Sequence, residues 1–405
     1  MIHQQRFLAI KLSLLLVAGA LVSPAAAGPT CLGDPATDPE LIGTSGNDTI
    51  TGTSGPDVII ARGGNDQIDG RGGDDKICAG SGNDAVSGDD GFDQVKAGPG
   101  VDSVSGNLGD DTLTGGSGKD QLMGGDGDDR IVGGLGDDLL SGGRGTDYIR
   151  YDAAPSPGVV VDLRGLTAKG GHGLDTLVAV EGLADVEGVY GSAHADMFAG
   201  NPADNRFIGN GGDDTFHGSF GDDLLSGGPH ENGDRITFEA FKVRAGITVN
   251  LGTGVVSWEG LTPATQQVSL VEMVTGSPAS DRILGDGHPN QLTGGSGSDE
   301  LLGGAGNDRI DAGAGSDDVR GGVGNDVIYA GSGRDTAFGF MGADALYGRG
   351  EADVLYGGDG PDRLDGGQRD DRLVGGAGND SFSGGPGRDL CRQEGGSGSK
   401  DSCER

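Results

Sequence analysis

The sequence predicts an all-β fold, a parallel solenoid of stacked short strands, and three observations predict it. Glycine makes up 87 of 405 residues while aromatic residues reach only 4% and hydrophobic residues 34%, too little for a conventional core. A nine-residue period runs through most of the chain, and a fixed period of short length is the signature of a stacked-repeat architecture. Within each period one place is apolar and another is aspartate, so the pattern is chemical as well as compositional. An acidic, glycine-rich chain with a formal charge of −35 would otherwise read as disordered. That charge also argues against nucleic acid or an anionic membrane surface as partner, since both need clustered Lys and Arg.

Residues 1–27 carry Arg6 and Lys11, an apolar run from Leu12 to Val22, and small residues Ala25, Ala26 and Ala27 before Gly28. This is the pattern of a secretory signal peptide cleaved after Ala27. The apolar run is about half of the ~20 residues a spanning helix needs, and no later stretch is apolar enough to span. The sequence therefore places the mature protein outside the cytoplasm, extracellular or at the cell surface. Residues 28–42 follow as an N-terminal cap.

From Gly43 to Arg150 the chain divides into twelve uninterrupted nonapeptides, beginning GTSGNDTIT and GTSGPDVII. Place six holds Asp48, Asp57, Asp66, Asp75, Asp84, Asp93, Asp102, Asp111, Asp120, Asp129, Asp138 and Asp147. Place eight is aliphatic throughout, from Ile50 to Ile149. A second block of four units, residues 191–226, has Asp196, Asn205, Asp214 and Asp223 at place six and Phe198, Phe207, Phe216 and Leu225 at place eight. The third block, residues 276–392, has thirteen units. Its place-six residues are Asp281, Asn290, Asp299, Asp308, Asp317, Asp326, Asp335, Asp344, Asp353, Asp362, Asp371, Asp380 and Asp389. Residues 393–405 form a C-terminal cap.

Two segments break the period, 151–190 and 227–275. They contain GVVVDLRGL and GITVNLGTGVV, alternating stretches expected of strands with one buried face. Each arises where a block stops, so they read as two copies of one β-rich spacer or capping element.

Places one to six of a unit are Gly-rich with Asn or Asp before the aspartate, which permits sharp turns. Places seven to nine suffice for a three-residue strand with place eight inward. One such unit cannot close a core, but stacking units pairs each strand with the next and joins the inward residues into a ladder. Stacking also sets carboxylates near the ~4.8 Å strand spacing, a repulsion of roughly 3 kcal/mol per neighbouring pair at an effective dielectric near 20. A divalent cation between turns reverses that sign. The repeated places offer carboxylates and turn carbonyls but no His or Cys, an all-oxygen set that suits Ca2+ better than Zn2+, Cu2+ or Mg2+.

GGDGDDRIV, GGAGNDRID and GGAGNDSFS match G-G-x-G-x-D-x-U-x at every fixed place, and the chain resembles the RTX family of hemolysin-type calcium-binding repeats. The resemblance implies a parallel β-roll with two nonapeptides per coil and Ca2+ held between neighbouring turns by place-six aspartates and turn carbonyls. On that expectation Asp129 shares an ion with Asp147, and Asp138 belongs to the opposite row. The sequence departs from the pattern at Asn205 and Asn290, and in GRGEADVLY and GGQRDDRLV, which lose the fourth glycine; these sites are expected to be weaker. GGPHENGDRITF carries two extra residues, so Asp234 is not expected to be a ligand. The N-terminal leader also departs from the C-terminal export signal of many such proteins.

Four cysteines in an exported chain suit disulfides. Cys31 with Cys78 and Cys391 with Cys403 would staple one end each. No catalytic constellation emerges: there is no H-E-x-x-H and no G-x-S-x-G, and in GGSGKDQ Lys119 is followed by Asp120 where a phosphate loop needs Ser or Thr. The histidines His172, His194, His217, His230 and His288 read as loop or surface residues, and Trp258 as a packing residue. Place-nine aromatics Tyr329, Phe338, Tyr347 and Tyr356 predict an outward stripe on two faces, by cross-strand packing or as a surface for glycan. The expected function is a secreted, non-enzymatic calcium-binding protein that folds on meeting external Ca2+ and serves as a structural, matrix or surface component. The alternatives are a calcium-dependent adhesin binding glycan or cell surface, and a toxin- or hydrolase-related protein.

Overall fold

The computed structural model describes residues 29–180, 183–240, 246–258, 265–396, 399–401 and 403. The leader at 1–27 lies outside the described residues. The fold is a parallel β-solenoid with two long sheets, and successive nonapeptides alternate between them. Strand Thr112–Ser117 pairs in parallel with Arg130–Leu135, placing Leu113 beside Ile131. The intervening strand, Gln121–Asp126, pairs with Leu139–Arg144 on the other sheet, placing Leu122 beside Leu140. Each coil is therefore two units, and each residue stacks on the residue eighteen further on.

Place eight points inward along the whole roll, from Ile50 and Ile59 to Leu373 and Phe382, and all of these residues are buried in one continuous cluster. Period-two alternation puts places seven and nine outward. The strands run longer than the three residues expected. Most strands of the outer blocks have six, because the ladder continues through places one to three of the next unit, pairing Gly116 with Gly134 and Ser117 with Leu135. That continuation requires a left-handed residue at place two, such as Gly116 at φ +123°.

The interruptions continue the ladder. In the first, strands Val160–Asp162, Thr167–Gly170 and Gly173–Leu177 form an antiparallel meander. Its two outer strands pair in parallel with Leu139–Arg144 before it and Met197–Ala199 after it. In the second, Ile247–Asn250, Val255–Trp258 and Thr265–Ser269 do the same on the opposite sheet, between Leu224–Ser226 and Arg282–Leu284. The two spacers are thus one design used once on each sheet. GITVNLGTGVV spans two strands and a turn, whereas GVVVDLRGL supplies one strand.

Around residues 191–238 the core changes character. Phe198, Phe207 and Phe216 stack with ring centroids 5.2 and 5.3 Å apart, and Phe238 is buried beside them. Trp258 joins this core against Phe220 and Phe238. Rings bury more apolar area per unit than Val or Leu, so this stretch gains more from packing alone. Cys31 is bonded to Cys78 at one end of the roll and Cys391 to Cys403 at the other. His172 departs from expectation: it is buried, because the turn between two meander strands folds its ring onto Tyr151 at 4.5 Å.

Candidate metal centre

The place-six aspartates form rows along the edges of the roll, tied by one repeating hydrogen bond. The backbone N–H of each donates to Oδ1 of the aspartate one coil on. Asp111 donates to Asp129 at 2.8 Å, and Asp129 to Asp147 at 2.8 Å. Asp102 donates to Asp120 and Asp120 to Asp138, both at 2.9 Å, in the opposite row. The third block repeats this from Asp299 through Asp317, Asp335, Asp353 and Asp371 to Asp389. Asp129 and Asp147 are thus neighbours and Asp138 stands in the other row.

The second carboxylate oxygen sorts the candidates. Oδ2 is buried without a hydrogen-bond partner in Asp66, Asp75, Asp84, Asp93, Asp102, Asp111, Asp120, Asp129, Asp138 and Asp147. The same holds for Asp214, and for Asp299, Asp308, Asp317, Asp326, Asp335, Asp344, Asp353, Asp362, Asp371 and Asp389. In the remaining units the oxygen is covered. Thr44 N–H donates to Asp48 at 2.6 Å and Thr53 N–H to Asp57 at 2.6 Å. Ser192 and Ser277 cover both oxygens of Asp196 and Asp281 with N–H and hydroxyl. The Ser219 hydroxyl and the Gln266 amide close Asp223, and Gln393 closes Asp380.

Backbone conformation at place two explains most of this division. Where place two is left-handed, its N–H turns away from the aspartate and Oδ2 stays open. Glycine takes that conformation in most open units, and Arg62, Arg71, Asp89, Asn107, Asn210, Phe340 and Arg349 take it in others, at φ 72–80°. Thr44, Thr53, Ser192, Asn201, Ser219, Ser277 and Asp286 do not. Most of these cover the place-six group with the N–H, as Asn201 and Asp286 do at Asn205 and Asn290; Ser219 uses its hydroxyl. Part of the signal was therefore present in the sequence: Ser or Thr at place two goes with a covered aspartate and Gly with an open one at all but Asp380, whereas Asn and Asp at place two occur with both.

An open, buried carboxylate resists ionisation. Burial, joined by the carboxylates of Asp93, Asp129 and Asp110, pushes Asp111 up to about 7 against the opposing pull of a backbone hydrogen bond. Burial likewise raises Asp75, Asp147, Asp299, Asp353 and Asp362 to about 7. Asp102, Asp120, Asp129 and Asp344 reach about 6 from the same cause. Such rows of unpartnered anionic oxygens are what a divalent cation would satisfy, and glycine at place one leaves them room: a Cβ on Gly124 would meet Asp129 Oδ2 and the Gly142 carbonyl. The donor set is all oxygen, which fits Ca2+.

The unit with two extra residues keeps its aspartate in a row. Asp234 is fully buried in a row, accepting the Asp214 N–H on Oδ1 at 2.7 Å. The insertion is absorbed in the turn, where Asp213 accepts the N–H groups of Glu231 and Asn232, and Arg235 still pairs opposite Thr215. In GGQRDDRLV, Arg369 takes the left-handed conformation of the lost glycine at φ 81°. Three row-ending acids escaped the sequence reading because they sit in the spacers. Asp175 accepts the N–H of Asp138, Glu187 that of Asp147, and Glu272 that of Asp234.

The family model for the RTX calcium-binding nonapeptide repeat (4 copies) matches residues 42–77, 79–113, 114–149, 190–228, 284–319, 293–328, 320–355 and 356–391. These matches cover more than half of the chain and skip most of both meander spacers. No curated protein matches.

Proposed function

Since the chain belongs to the RTX calcium-binding nonapeptide repeat family, we propose that it is a secreted structural or surface component whose outer rolls fold on meeting extracellular Ca2+. The observation that carries this reading is the pair of rows of buried, unpartnered Oδ2 atoms in the first and third blocks. Bound calcium would supply the positive charge these oxygens lack. Asp66 to Asp147 and Asp299 to Asp371, with Asp389, are the residues proposed to hold it, and Asp129 and Asp147 are proposed to share one ion. The covered aspartates Asp48, Asp57, Asp196, Asp223, Asp281 and Asp380 are proposed to serve structure instead.

Block boundaries acquire a functional sense on this reading. Residues 43–150 and 276–392 are the calcium-dependent rolls. The middle block, residues 191–226, combines a phenylalanine core with mostly covered place-six groups and is proposed to hold its fold without metal. In the calcium-poor cell interior the outer rolls stay open, and the leader at 1–27 is proposed to deliver the chain to a calcium-rich exterior. Small-angle scattering in chelator and in millimolar calcium tests the proposal. Contraction to a rod on adding calcium supports it, and an unchanged profile overturns it.

Adhesion is the second reading, favoured by the aromatic stripe. Tyr329 stacks on Tyr347 at 5.0 Å on one sheet and Phe338 on Tyr356 at 4.8 Å on the other. Arg309 and Arg349 lie over the Tyr329 ring at 4.7 and 4.3 Å. Arginines over that ring leave less of it for a sugar, and cation–π pairing accounts for the stripe as reinforcement of the sheet. Calcium-dependent glycan binding abolished by Tyr347→Ser and Tyr356→Ser would restore the adhesin.

A further inference from the structure

At the second spacer one row ends beside a histidine. Asp234 spends Oδ1 on the Asp214 N–H, and its Oδ2 has no hydrogen-bond partner, with His230 Nδ1 3.5 Å away. The same imidazole nitrogen lies 3.4 Å from Glu272 Oε2 and 3.2 Å from the Gly228 carbonyl oxygen. His230, Asp234 and Glu272 each offer one ligand atom, all within 4.8 Å of one another. The two-residue insertion in GGPHENGDRITF brings the imidazole to this point, since it widens the turn while the strand register is kept.

We propose that His230, Asp234 and Glu272 bind one borderline first-row dication of the Zn2+ class, at the end of a row and outside the set of aspartates proposed to hold calcium. One imidazole nitrogen with two carboxylates is a donor set that such ions favour, with a fourth position left for water. Calcium is less suited, because it prefers six to eight oxygens and one of the three donors here is an imidazole nitrogen. Asp234 is fully buried, so its open oxygen is aimed into the cluster, while His230 is only partly covered. A cavity of about 530 Å3, lined by His230, Asn232, Leu251, Leu270, Glu272 and Asp286, gives a hydrated ion a path to the imidazole face.

At the end of another row, Asp175 also meets a histidine, with His172 Nε2 at 3.1 Å from Oδ2. There the Tyr151 hydroxyl donates to the same oxygen at 2.9 Å and fills the position an ion would need. No such hydroxyl covers Asp234 among the described residues.

The test uses the full mature chain saturated with calcium, so that the rows are occupied before the second metal is added. Zn2+ is counted by elemental analysis after dialysis, and Co2+ is followed by its visible d–d absorption. The expected result is one Zn2+ retained per chain and a Co2+ spectrum with nitrogen ligation. His230→Ala and Glu272→Gln should weaken both by about tenfold or more with calcium content and circular dichroism unchanged. Retention of Zn2+ with undiminished affinity in His230→Ala, or no retention by the wild-type chain, overturns the proposal. His288 also lines this cavity, and loss in His288→Ala with retention in His230→Ala overturns the proposal as well, because the ion would then sit on His288. A protonated His230 that merely bridges the two acids would give no retained metal.

Discussion

Asparagine in place of Asp129 should act with opposite signs in the absence and presence of calcium. Asp129 sits between Asp111 and Asp147, and its Oδ1 accepts the Asp111 N–H at 2.8 Å, a bond that an asparagine oxygen keeps. Burial holds its carboxyl at about 6 against 3.8 for the free group, so ionising it at neutral pH costs the fold about 3 kcal/mol. Asparagine removes that cost but leaves an amide N–H2 unpartnered where Oδ2 stood, at about 1 to 3 kcal/mol. The net in chelator is therefore about zero to a gain of ~2 kcal/mol. In calcium the same change deletes a proposed charged ligand, and stability should fall by about 3 kcal/mol or more. Urea unfolding followed by circular dichroism in chelator and in saturating calcium, at pH 6.5, reads both signs. Equal losses in the two conditions would show Oδ2 to be a structural acceptor and no cation ligand.

Asp281→Asn is the matched control: Ser277 already covers both of its oxygens, so calcium content and the calcium midpoint should match wild type, as measured by equilibrium dialysis. Acidification should fold the chelated chain. Asp75, Asp111 and Asp353 titrate at about 7 when folded and 3.8 when free, so the folded form binds more protons and the stability they contribute is full below pH 4 and lost as pH rises through 7. β-signal in chelator should accordingly rise from pH 8 to pH 5, whereas in calcium the calcium midpoint should worsen over the same range because ligands must be deprotonated. Phe207→Ala should cost about 3 to 5 kcal/mol in both conditions, because its ring stacks on Phe198 in the core of the middle block; differential melting of that block checks it.

Much of this architecture is legible in the sequence because the repeat is a one-dimensional code. A period of nine with place eight aliphatic dictates which residue points inward, and all of them, from Ile50 to Phe382, are buried. Pairing at eighteen residues followed from the family resemblance, since one nonapeptide alone does not say whether one unit or two close a coil. The division between open and covered aspartates was harder to see. It turns on whether place two is left-handed, and Arg62 or Phe340 gives no sign from side-chain chemistry that it will adopt φ near 80°. Long-range partners were harder still. Glu187 and Glu272 sit in aperiodic spacers, and only the meander brings them forty and thirty-eight residues along the chain to Asp147 and Asp234. The same tertiary folding buries His172, where residue type and local pattern point to an exposed loop, and gathers the exposed His230 with two acids.

Open carboxylate rows are proposed to make folding of the outer rolls depend on calcium. Far-ultraviolet circular dichroism of the mature chain through a calcium titration at neutral pH tests it most directly. A cooperative gain of β-signal by millimolar calcium, on top of a smaller signal from the phenylalanine-cored middle block that is present in chelator, is the predicted result. A full β-spectrum in chelator, unchanged by calcium, or no gain at any calcium concentration, would contradict it.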